Sequence, residues 1–201
     1  MKRLFSSFSL MALGASALLF TLPLAAWELD PERSRVSATV MQIGPDGPIP
    51  RQHEVRRLSG SADNSGTLEL PLRLNQSDVV DRLGPLPPWL AGITERPMAT
   101  LTTRFPPERL DQLAVGDSLV ETLTMKVQSG SAMREESLPV RFTKTGRDQV
   151  QVTNAERVAL DGQALMANPT LRSVLLLLGY EQIGDEVPVS LDAMLVKTRD
   201  S

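Results

Sequence analysis

The chain has no cysteine and a single histidine among its 201 residues. Without cysteine no disulfide can staple it, so packing alone must hold the fold. Attachment of a lipid to an N-terminal cysteine is excluded for the same reason. The lone His53 cannot build a zinc site without carboxylate help. "HEVRR" begins like a zinc-protease helix, but Arg57 stands where the second histidine belongs and the segment alternates like a strand. His53 therefore reads as an ordinary strand-end histidine. No Gly-x-Ser-x-Gly elbow occurs, Ser59 and Ser61 flank Gly60 with no visible base, and no glycine-rich loop is shaped for phosphates. Acidic residues are spread over polar faces, and nothing marks a carboxylate pair for glycoside chemistry. The expectation is a protein that is not an enzyme and holds no cofactor and no metal. Basic blocks are missing too, which disfavours nucleic acid and anionic membrane surfaces as partners. Aromatics make up only 4% of the chain, so large core fillers are scarce.

One long apolar run is present, and it lies at the start. Lys2 and Arg3 precede apolar residues from about Leu10 to Leu22, followed by Pro23 and the small pair Ala25-Ala26. That order matches a secretory signal peptide, with cleavage expected after Ala26. The rival reading, an uncleaved anchor, wants about 20 apolar residues, more than this run supplies. Residues 1–26 are thus expected to leave, and residues 27–201 to form one domain. Loss of Lys2 and Arg3 takes the formal charge from −3 to −5. The expected address is the bacterial periplasm.

The rest of the chain is dominated by alternation. "TLELPLRLN" puts Leu68, Leu70, Leu72 and Leu74 at every second position, hence on one face of a strand. The same period groups Val36, Ala38 and Val40; Ala99, Leu101, Thr103 and Phe105; Leu119, Leu123, Met125 and Val127; Leu138, Val140 and Phe142; Val150 and Val152; and Val187, Val189, Leu191, Ala193 and Leu195. With residues 53–62 as a weaker member, about eight strands are expected. One wet face on each points to antiparallel pairing. Two segments break the pattern. "SDVVDRLGPLPPWLAG" predicts a short helix capped by Ser77 and then a proline-rich loop carrying Trp89. "NPTLRSVLLLLGY" predicts a helix of about ten residues, with Asn168 as cap, Pro169 in the first turn, Gly179 as stop and Leu171, Val174, Leu175 and Leu178 as its apolar stripe.

Eight one-sided antiparallel strands have two common solutions, a two-sheet sandwich or a closed barrel. An eight-stranded barrel is either filled by side chains or holds one small ligand. Its inward residues here are mostly Leu, Val, Ala and Met, which favours interior space. A sandwich core of leucine and valine is the other outcome.

Several segments resemble the YceI-like family of exported bacterial proteins. They are "WELDPERSRV", "HEVRRLSGSADNSGTLELPLRLNQSDV", "ITERPMATLTT", "LVETLTMKVQSGSAMREESLPVRF" and "VTNAERVALDGQALMANPTLRSVLLLLGYEQIGDEVPVSLDAML", in that order over nearly the whole of residues 27–201. The Phe-Gly that many members carry before the closing helix is replaced by "LDGQALMAN", the Gly-Val-Thr after the Leu-Thr strand by "VQSGSA", and "GPDGPIPRQ" expands the first hairpin. The resemblance implies an all-β, eight-stranded, antiparallel, lipocalin-like barrel with a short C-terminal helix before the last strand. It also implies an apolar lipid of the isoprenoid or quinone class in the lumen.

On that reading Leu70, Leu72, Leu101, Leu123 and Met125 are the expected lumen residues, because they sit mid-strand on the apolar phase. Met98 and Met125 offer an adaptable lining, whereas Met194 falls on the polar phase. Trp89 is placed to cap the lumen, or packs on its own domain. Glu121 interrupts an apolar face; it either orients a polar headgroup at the barrel mouth or is turned to water by a bulge, the simpler reading. At about 25 cal/mol per Å², burial of about 400 Å² of lipid would supply about 10 kcal/mol before entropy costs, with no strong polar contact needed. The competing expectation is a filled barrel that presents its loops to other envelope proteins.

Overall fold

The leucine period of Thr67–Arg73 becomes a strand, as do the other alternating segments, and all of them join one sheet. A computed structural model describes residues 26–92 and 94–198. The expected signal peptide lies outside the described residues, apart from Ala26. Among the described residues the strands are β1 (Ala26–Leu29), β2 (Arg35–Gly44), β3 (Gly47–Arg56), β4 (Thr67–Arg73), β5 (Pro97–Arg104), β6 (Ser118–Ser129), β7 (Ala132–Gly146), β8 (Gln149–Asn154), β9 (Val158–Asp161) and β10 (Glu186–Thr198). Five short helices connect them: α1 (Asp78–Leu83), α2 (Pro88–Ala91), α3 (Pro107–Gln112), α4 (Gly162–Ala167) and α5 (Pro169–Leu177).

Eight strands follow one another in the order β3-β2-β10-β8-β7-β6-β5-β4, all antiparallel, while the short β1 and β9 each pair with β10. The sheet curls so that its inward faces meet, giving an all-β barrel. Prolines 48 and 50 lie in β3 and Pro71 in β4, the two ends of the order, where a missing backbone N–H is tolerated.

The seam between β3 and β4 is closed at one end by residues 60–62. Leu29 N donates to Gly60 O at 2.9 Å, Ala62 N donates to Trp27 O at 2.8 Å, and Ala62 bridges to Leu68 of β4. A side chain at position 60 has no room, since a Cβ there would lie 2.5 Å from Glu69 O. At the other end β3 meets α1 and bridges only Val55 to Ser77.

The two ends differ in packing. The closed end is filled by Trp27, Leu58, Phe105, Leu110, Phe142 and Val150, all nearly or fully buried. Helix α3 plugs it through Leu110, with no exposed surface, and the Lys144 ammonium donates to Leu110 O at 3.3 Å. Lys144 and Lys197 stand 5.0 and 5.6 Å from the Trp27 ring centre, in cation–π range. A smaller cluster of Leu74, Val79 and Val174, edged by Met98 and Leu178, ties α1 and α5 to the other end.

Both expected helices form as read. Ser77 Oγ accepts from Val79 N to cap α1, and Asn168 Oδ1 accepts from Thr170 N and Leu171 N to cap α5. Helix α4, capped by Asp161, and α3 are additions, and the expected proline-rich loop contains a further short helix, α2, that carries Trp89. "GPDGPIPRQ" expands the first hairpin, since β2 and β3 pair continuously out to Gly44 and Gly47, with Gly47 at φ 109 in the turn.

Candidate functional site

The structure places the expected lumen residues at two depths. Leu70 and Leu123 belong to the buried cluster, while Leu72 and Leu101 are half-buried at its margin and Met125 is half-buried further along β6. Register lines these residues into walls. Leu70 pairs with Leu101 and Leu101 with Val127, forming one inward row across β4, β5 and β6. Opposite ends of the order supply a second row, in which Val55 pairs with Val36 and Val36 with Leu191 across β3, β2 and β10. Val36, Val55, Leu101, Leu138 and Leu191 all pack against the buried cluster yet stay half-buried. Away from the plugged end these inward aliphatic side chains are therefore only partly covered by their neighbours.

Trp89, on α2, is 49% exposed and joins neither buried cluster. Glu121 keeps the inward phase: β6 pairs with β7 without a register shift, Glu121 lies opposite Val140, and its carboxylate is held by the Arg109 guanidinium of α3. The expected bulge is absent because an ion-pair partner from the plug satisfies the charge where it stands. Glu121 thus serves the plugged end. Met194 lies on the outer phase, in contact with Thr145 Oγ1 at 3.8 Å.

His53 departs from the strand-end reading. It sits inside β3 and is 8% exposed. Its Nε2 lies 2.7 Å from Tyr180 Oη, and its Nδ1 lies 3.4 Å from Asp78 Oδ1. Asp78 Oδ1 also accepts from Glu54 N at 3.0 Å, and Asp78 Oδ2 is paired with Arg82 at 2.9 Å. With Asp78 ionised, the neutral imidazole carries its proton on Nδ1 and accepts the Tyr180 hydroxyl proton at Nε2. Burial lowers the His53 pKa from its ordinary 6.5, and the Asp78 carboxylate opposes that shift. Burial raises the Tyr180 phenol above its ordinary 10.0, keeping it protonated. The sequence carried one hint of this triad. The only tyrosine and the only histidine of an aromatic-poor chain must both find partners once buried.

A cleft of ≈ 370 Å³ opens beside the triad, lined by Gln42, Arg51, Arg82, Leu83, Leu177, Leu178 and Tyr180. Strand β2, strand β3, helix α1 and the end of α5 each supply part of it. Gln42 Nε2 donates to Gly179 O at 3.2 Å, tying the turn after α5 to β2. A second cleft of ≈ 440 Å³ is lined by Arg57, Arg73, Asn75, Gln76 and Glu95. Among the described residues no three His, Asp or Glu side chains gather to hold a metal ion, and no helix is long and apolar enough to cross a membrane.

No family model and no curated protein matches the chain. A solved structure does. The polyisoprenoid binding domain from Saccharophagus degradans implicated in plant cell wall breakdown superposes with a TM-score of 0.68 at 16% sequence identity, over 87% of this chain and 99% of that one. At that identity the likeness carries the architecture: the curled antiparallel barrel described above is the fold of that domain.

Proposed function

We propose that the protein is a YceI-like exported binding protein that holds a long apolar lipid, of the isoprenoid or quinone class, against the inward surface of its barrel, and that it is not an enzyme. The observation that carries this reading is the half-buried inner wall of Val36, Val55, Leu72, Leu101, Leu138 and Leu191 beside a fully packed plug. Large aliphatic side chains left partly uncovered on an inward face gain about 25 cal/mol for each Å² that a ligand covers. The fold shared with a polyisoprenoid binding domain supports the same class of ligand. The mature chain would begin at Trp27 and work in the periplasm, receiving its lipid there and sheltering it from water.

The test is native mass spectrometry and organic extraction of full-length protein expressed in a Gram-negative host and purified from the periplasmic fraction. The expected result is a chain that starts at Trp27 and carries a stoichiometric prenyl lipid. A protein that is exported yet carries no lipid, and takes up none from prenyl-lipid vesicles, would leave the filled-barrel envelope partner as the better reading.

A further inference from the structure

Both ends of the barrel are occupied. Helix α3 plugs one, and α1 and α5 pack over the other through Leu74, Val79 and Val174. An apolar chain that is to reach the inner wall needs a way in other than these packed ends, and the wall itself supplies one. Strand β7 pairs with β8 over residues 140–146 only. Thr153 of β8 faces Asp192 and Val158 of β9 faces Val189, so five steps along one side are matched by three along β10. The two extra residues form a bulge that turns the chain away from β7. Asn154 pins it to β10: Leu191 N donates to Asn154 Oδ1 at 2.6 Å, and Asn154 Nδ2 donates to Val189 O at 3.1 Å. The last link to β7 is Ala155 N donating to Pro139 O at 2.9 Å. Beyond it, among the described residues, no backbone hydrogen bond or bridge joins residues 132–138 of β7 to β9.

Exposure changes across this gap on both of its sides. Directly opposed residues of neighbouring strands point to the same face, so Leu138, Glu136 and Arg134 of β7 share the inward phase of Leu123, Met125 and Val127. Met125 and Val127 are half-buried, whereas Glu136 and Arg134, beside the gap, are exposed. On the far side Leu160 of β9 shares the inward phase of Val187. Val187 is 1% exposed and Leu160 46%. The partners one strand away from the gap are covered, so what uncovers Leu160, Glu136 and Arg134 is the missing neighbour between β7 and β9. An inward leucine left in water gains about 25 cal/mol for each Å² that an apolar group covers. At its base the gap reaches Leu138, which packs half-buried against the main cluster and so joins the gap to the inner wall. Arg134 and Glu136 put charge on the inward phase of the free edge, which guards it against pairing with another strand.

We propose that the gap between β7 and β9 is a lateral portal, through which the apolar chain of the ligand slides sideways over Leu160 and Leu138 onto the inner wall while its polar head stays in water. This rests on the lipid-binding reading above and adds to it the route of the chain. A slit that runs along the strands admits a chain without drawing a polar head past the packed ends, so the head keeps its water throughout the transfer. Asn154 is the positioning residue: by holding the bulge to β10 it keeps β9 apart from β7.

Single cysteines test this, because the chain has none of its own. Leu160→Cys, Leu177→Cys and Val120→Cys, each coupled to a bulky polyethylene glycol maleimide, obstruct the portal, the α1–α5 end and the outer face of β6 in turn. All three positions are exposed, so the variants fold, which circular dichroism checks. The probe is a C20 prenyl alcohol tagged with dansyl at its hydroxyl end. Stopped-flow transfer from phosphatidylcholine vesicles to the delipidated full-length protein, and back, gives both rates, and the equilibrium partition gives the affinity. The adduct at position 160 should slow uptake and release alike, by about tenfold, with the partition unchanged, because an obstructed passage raises the same barrier in both directions. The adducts at positions 177 and 120 should leave both rates as they are. Slowing at position 177 that equals or exceeds that at 160 overturns the lateral route and leaves the lipid-binding reading in place. An adduct at 160 that changes neither rate does the same, as does one that only speeds release, which would make Leu160 a holding contact. Failure of the unmodified protein to take up the probe overturns the lipid-binding reading itself.

Discussion

Tyr180 Oη lies 2.7 Å from His53 Nε2, so the residue that follows helix α5 and its glycine stop is hydrogen-bonded to the middle of β3. This contact spans 127 positions of sequence and joins the closing helix to the first hairpin. Its partners set how it responds to acid.

Because burial lowers the His53 pKa below 6.5, the unfolded chain binds a proton there more readily than the folded one. Stability is then fully present above pH 6.5 and falls as the pH drops from 6.5 through the lower folded value. Asp78 and Arg82 of α1 and Tyr180 face the ring; Asp78 moderates the shift and Arg82 enhances it. As this is the chain's one histidine, His53→Gln should flatten the change in Tm between pH 7.5 and 5. Thermal unfolding of both proteins across that range is the check, and an unchanged slope in the variant would assign the effect elsewhere.

Leu101 and Leu123 should respond in opposite ways to enlargement. Leu123 is buried in the core cluster, so Leu123→Trp overpacks it and should cost about 1–3 kcal/mol. Leu101 is half-buried at the margin of that cluster, so Leu101→Trp should cost less than about 1 kcal/mol and reduce retained lipid severalfold by occupying the inner wall. Urea unfolding and organic extraction, run on both variants, separate the two effects. Equal destabilisation with undiminished lipid would mean that Leu101 faces protein alone.

The plug rests on Leu110, which has no exposed surface. Leu110→Ala should cost about 2–5 kcal/mol, measured as a lower urea midpoint at constant m-value. A cost below about 1 kcal/mol would show that α3 contributes little to holding the closed end.

What could be read in advance follows from distance along the chain. The leucine face of residues 67–75, the Ser77 and Asn168 caps and the Pro169 start are local, because a two-residue period and a cap within three residues are written into neighbouring positions. Even there the face was divided by folding: Leu68 and Leu70 joined the main core, whereas Leu74, past the register shift after Leu72, joined Val79 and Val174. Helix α3 escaped notice because six residues are too few to establish a helical period.

The sequence alone therefore determined the alternation, the antiparallel pairing it favours, the two capped helices and the absence of cysteine chemistry. Tertiary structure alone decided that Glu121 could stay inward, since its charge is met by Arg109 from a helix twelve positions away. It decided likewise that His53 is a buried partner of Asp78 and Tyr180, and that Arg51 and Arg82 share a cleft with leucines. These are relations between side chains on different elements. Periodicity tells which face of a strand a residue occupies, but only the curl of the sheet and the docking of α1, α3 and α5 bring particular charges and hydroxyls within hydrogen-bond reach, where burial forces each to find a partner.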